Sequence, residues 1–68
     1  MTMIRADLDE LLVLSRLFPA WTWAALPDRN VIVAADADAG VLRPYWMPAL
    51  LCMDTHLAAK FVLQLNSE

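Results

Sequence analysis

Residues 21–35 constrain the fold of this chain more than any other stretch. They read Trp21-Thr22-Trp23-Ala24-Ala25-Leu26, then Pro27-Asp28-Arg29-Asn30, then Val31-Ile32-Val33-Ala34-Ala35. Two β-prone runs around a group of turn formers predict a hairpin. Asp28 and Asn30 suit its turn, because both bond to nearby backbone and Asn tolerates positive φ. Pairing Leu26 with Val31 sets Trp23 opposite Ala34 and Trp21 opposite Asp36. One face of the ribbon then carries Trp21, Trp23, Ala25, Ile32 and Ala34. The other carries Thr22, Ala24, Leu26, Val31, Val33 and Ala35. Both faces are largely apolar, so both call for cover.

A helix is expected before the hairpin, over residues 7–18. Asp7 and Glu10 are spaced as a capping pair, and both favour the positive end of the helix dipole. Leu8, Leu11, Leu12, Leu14 and Phe18 share one broad face with Ser15, while Val13 and Leu17 lie behind. A start at Thr2 would let Arg5 pair with Asp9 at i,i+4. Pro19 stops the helix. After the hairpin, residues 36–40 form a second turn. Residues 41–46 follow as an edge strand or an extended loop, since Pro44 cannot donate to a ladder.

Pro48 suits the first turn of a C-terminal helix whose apolar face is Leu50, Leu51, Leu57, Ala58, Phe61, Val62 and Leu65. Cys52, His56 and Lys60 cover its other side. Asp54 falls within the apolar face. It is either an interface carboxylate with a cationic partner or, preferably, the N-cap of a helix that begins at Thr55. The order is helix, two- or three-stranded antiparallel sheet, helix, an α+β fold in one domain over 1–68 with its second sheet face bare. A small all-α fold is the alternative, with residues 20–26 and 34–39 as short helices, because runs this short carry no decisive period.

The bare face matters because the chain has too much apolar material for its size. It has 68 residues, 60% of them hydrophobic and 19% charged, against the usual 45–50% and about a quarter. A domain this small hides only about 60% of its unfolded surface. Association with a second copy or with another protein is therefore expected. Formal net charge is −3, and Arg5, Arg16, Arg29, Arg43 and Lys60 are dispersed, so neither nucleic acid nor an anionic membrane is the expected partner. The longest apolar run, residues 45–53, is broken by Pro48 and too short to span a bilayer. Asp7, Asp9 and Glu10 stand where a signal peptide would be apolar. The lone Cys52 cannot form an internal disulfide, and a cytoplasmic location fits best.

Three constellations carry chemical readings. Val31–Asp36 and the following Ala37-Asp38-Ala39-Gly40 put two carboxylates at the end of an apolar strand, a donor set suited to Mg²⁺. Over about ten residues this stretch resembles the strand-plus-Asp-x-Asp segment of Toprim domains in primases and topoisomerases, and the Asp-x-Asp strand end of some glycosyltransferases. The Toprim resemblance implies Asp36 and Asp38 as metal ligands with an upstream glutamate assisting, and Glu10 is the only one upstream. An EF-hand loop fails, because Gly40 and Met47 stand where ligands belong. Cys52 and His56, at i,i+4, would face one ligand on a continuous helix, but two ligands do not make a zinc site. Ser15, His56 and Asp54 can be drawn together as a triad, without a nucleophile-elbow sequence.

The aromatic set is denser. Trp21, Trp23, Tyr45 and Trp46, with Arg43 nearby, are the residue types that dominate interface energetics. These five are the candidate partner-binding residues. The expected function is a non-enzymatic interaction module, a homodimer or a protein that docks on another, of the compact kind that phages and mobile elements use as inhibitors of host proteins. A minimal Mg-dependent enzyme using Asp36 and Asp38, or a structural subunit of a larger assembly, are the alternatives. No catalytic residue, metal or cofactor is assigned.

Overall fold

The computed structural model of the chain describes residues 3–67. The chain runs β1 (Ile4–Arg5), α1 (Leu8–Leu17), β2 (Thr22–Leu26), β3 (Val31–Asp36), β4 (Val41–Trp46) and α2 (Thr55–Asn66), with short 3₁₀ turns at Pro27–Arg29 and Pro48–Cys52. The fold is α+β. The sheet is four-stranded and mixed, in the order β1-β4-β3-β2, with β1 parallel to β4 and the other pairs antiparallel. An all-helical fold is thereby overturned, since residues 22–26 and 31–36 are paired strands.

The hairpin register is the one the alternation predicts: Leu26 pairs with Val31 and Trp23 with Ala34. Both hairpin loops hold four residues and end in a left-handed one, Asn30 at φ 55° and Gly40 at φ 67°. Asn and Gly are the residues that adopt this region at least cost.

Two strands depart from expectation. Residues 41–46 form an interior strand, not an edge strand or loop. The geometry explains how Pro44 fits there. The Asn66 side chain bonds both main-chain groups of Trp23, so those groups point away from β3. This orientation alternates along an antiparallel ladder. Ala34 therefore bonds toward Arg43, and the nitrogen of Pro44, opposite Val33, points toward the β1 side. There the paired part of β1, against Tyr45 and Trp46 only, has already ended. The second departure is β1 itself. A helical start at Thr2 lies outside the described residues, but Ile4–Arg5 form a strand, so Arg5 is not placed one helical turn from Asp9. Two residues carry too little pattern to announce a strand. Their pairing with Tyr45 and Trp46, and the bond from Ala6 N to Trp46 O at 2.9 Å, come from distant sequence.

Both helices lie on one sheet face. Leu11 from α1 and Ala58, Phe61 and Leu65 from α2 pack with Trp23, Ile32, Ala34 and Tyr45 into one buried cluster, closed at one end by Met47 and Leu50. At the N-terminus of α1, Glu10 Oε1 accepts from the Asp7 N–H at 3.2 Å, one arm of the expected capping box. The continuous helix expected from Pro48 is corrected. Pro48–Cys52 is 3₁₀, Met53 is extended, and α2 begins at Thr55 with Asp54 as its N-cap. Asp54 Oδ1 accepts from Leu57 N at 2.8 Å, so no carboxylate is buried on the apolar face. Leu51 and Leu57 are consequently exposed. Asp54→Ala should lower unfolding free energy by about 1 kcal/mol and Asp54→Ser by much less, as read from urea denaturation. Equal losses would argue against the cap.

Candidate functional site

The two faces of the sheet have different fates. On the helix side, aromatic rings run in contact across β2 and β4. Phe18 stacks on Trp21 with centroids 4.2 Å apart, Trp21 meets Trp23 at 6.0 Å, and Trp23 meets Tyr45 at 6.0 Å. Trp23 is only 2% exposed and Tyr45 is buried beside it. Beneath the helices, neither is available to a partner. Trp21 is half-buried at the rim, with the Arg43 guanidinium 5.1 Å from its ring centroid. Of the five aromatic and arginine candidates, only Trp46 lies on the other face. The strand alternation that separates it from its neighbour Tyr45 was available in the sequence.

Asp36, the first carboxylate of the Asp-x-Asp segment, is already engaged. Its Oδ1 accepts from Ala39 N at 3.2 Å, closing the turn, and its Oδ2 accepts from Arg43 Nη2 at 3.1 Å. The Ala39 N–H bond does most to hold its carboxyl below the usual carboxylate range. Arg43 and the Trp21 side chain add to this, against a smaller opposing effect of burial. A carboxyl whose folded value is depressed stabilises the fold above its unfolded value, near 3.9, and that contribution is lost as pH falls through the folded value. The stability advantage of the native chain over Asp36→Asn should therefore be full at pH 6 and shrink below pH 4. Thermal melts at both pH values check it, and a constant difference would contradict the assignment. Among the described residues, no three His, Cys, Asp or Glu side chains are placed to share a metal ion. Cys52 and His56 sit on different elements, on either side of the extended Met53.

The opposite face has no helix over it. Register places Thr22, Ala24 and Leu26 of β2 beside Val31, Val33 and Ala35 of β3, then Leu42, Pro44 and Trp46 of β4. Arg5 on β1 completes the face, its guanidinium 5.6 Å from the Trp46 ring centroid. Leu42 is 70% exposed, Leu26 46% and Trp46 43%. The accessible surface totals 4667 Å², where a compact monomer of 7.6 kDa exposes about 4300 Å². The partition of β2 and β3 residues between faces was readable beforehand. Leu42 and Pro44 were missed as part of this surface, because β4 had been demoted on account of its proline.

Both sheet edges are short or blocked. β1 offers two residues. On β2, Asn66 Oδ1 accepts from Trp23 N at 2.7 Å and Asn66 Nδ2 donates to Trp23 O at 3.0 Å. One amide side chain thus imitates the neighbour strand that an open edge would recruit. With the edges limited in this way, the apolar face is the larger surface left for association.

The chain matches no family model, no curated protein and no solved structure. Among the described residues, no helix is long and apolar enough to cross a membrane.

Proposed function

We propose that this chain is a non-enzymatic protein-interaction module that works by burying its uncovered sheet face against another polypeptide. The observation that carries the reading is the apolar row Leu26, Val33, Leu42 and Trp46, continuous across three strands and without helical cover. Contiguous patches of this kind mark association sites, whereas scattered exposed leucines do not. Burying the exposed part of Leu42 alone stabilises a complex by about 1–2 kcal/mol. A binding role is also supported by Asp36, whose carboxylate is committed to its turn and to Arg43.

The test uses a photo-crosslinking residue, p-benzoylphenylalanine, in place of Leu42 or of Leu63. The two are equally exposed, at 70% and 69%, but Leu63 lies on α2 and away from the sheet. Irradiation of the full chain at micromolar concentration in cell lysate should give a discrete adduct from position 42 and none of comparable yield from 63. Equal yields, or no adduct from 42, would remove the reading.

A further inference from the structure

We infer that the polypeptide covering this face is a second copy of the chain, packed sheet to sheet about a two-fold axis that runs along the strands. The inference rests on the reading of the face as a binding surface and adds the identity of its occupant. Size is the first argument. The molecule is a slab 32 × 29 × 16 Å in extent, so its broad face is roughly 700–900 Å² in plan, against ~800 Å² per partner in a stable standard interface. A partner must cover nearly the whole face, and a second copy has a face of the matching size.

Shape is the second argument. Bulk is divided unevenly across the sheet: β4 contributes Leu42, Pro44 and Trp46, while Thr22, Ala24 and Ala35 keep the β2–β3 side low. A two-fold axis along the strands turns one half of the sheet onto the other half of its mate. Each bulky β4 row then lies over the partner's small-residue half. Sheets stacked in this way keep their strands within about 30° of alignment and ~10 Å apart, and large side chains over small ones fill that gap. Charge is the third argument. Within the strands, the face carries one charged side chain, Arg5, on the outermost strand. The same axis sends the two copies of Arg5 to opposite edges, about 14 Å apart at ~4.8 Å per strand, beyond the ~8 Å screening length of physiological salt. The face thus meets itself without repulsion, and it presents no carboxylate that would call for a cationic partner. The product is an eight-stranded sandwich with a helical layer on each outer side.

Sedimentation equilibrium of the full chain from 5 to 500 µM tests this. The mass should rise to twice 7.6 kDa. Leu42→Glu should hold the chain at monomer mass throughout, with its far-UV circular dichroism unchanged. The discriminating variant is Ala24→Trp, which enlarges an exposed edge-strand residue and leaves the core untouched. If any apolar contact sufficed, the added ring would tighten association; the large-over-small fit instead predicts at least tenfold weaker dimerisation. Monomer mass for the native chain at 500 µM, or undiminished dimerisation of Ala24→Trp, overturns the inference. An adduct from position 42 to a different protein also overturns it, while leaving the face itself as the binding surface. If Leu42→Glu does not fold, Ala24→Trp alone decides.

Discussion

Replacing Trp23 with alanine should leave the chain without a cooperative fold at 25 °C. Trp23 is 2% exposed, and its ring lies 6.0 Å from both Trp21 and Tyr45. Its main chain also ties β2 to the last turn of α2. Truncating a buried Trp costs about 3–5 kcal/mol, and a core in a chain this small supplies only about 3–5 kcal/mol in all. The loss is therefore of the same size as the whole stability. Trp23→Phe keeps an aromatic ring between Trp21 and Tyr45 and should still melt cooperatively, at a lower temperature. Circular dichroism melts at low micromolar concentration read both variants. A cooperative transition for Trp23→Ala, with less than about 2 kcal/mol lost, would show that the core is centred elsewhere.

The second large effect is expected at Asn66. Asn66→Ala removes two hydrogen bonds that join α2 to the outer edge of β2, a net loss of about 1–3 kcal/mol at 0.5–1.5 each. It also uncovers an edge strand whose side chains, Thr22 to Leu26, are mostly apolar. The Trp23 amide should exchange with solvent about ten- to a hundredfold faster than in the native chain. Heating should then produce edge-to-edge aggregation that the native chain resists. Unchanged protection at Trp23 would mean that the Asn66 amide does not guard that edge. This effect is separable from face-to-face dimerisation, because Leu42 lies on the sheet face and Asn66 acts at its rim.

Both predictions depend on features whose visibility in the sequence differs. The hairpin was readable to the residue: side-chain alternation and turn chemistry set Leu26 against Val31, and those are local properties of adjacent residues. The capping residues Asp7 and Asp54 were readable for the same reason, since each acts on backbone within three positions. Asn66 gave no signal. Its role exists only because α2 ends beside Trp23, 43 positions earlier in the chain. The strand at Ile4–Arg5 was equally silent, and Pro44 pointed the wrong way. A missing N–H is harmful only where a neighbour would use it, and that depends on which side of β4 is paired.

The candidate surface divides along the same line. The sequence alone determined that the sheet would have two apolar faces, that Trp23 and Leu26 would lie on opposite ones, and that two helices are too few to cover both. Only the tertiary structure decided which face is left open. The helices settle where Trp23, Ile32 and Tyr45 give them the most apolar area to bury. That choice compares surfaces assembled from strands far apart in the chain, so no local pattern records it. It sends Trp23 and Tyr45 inward and leaves Leu42 and Trp46 facing out.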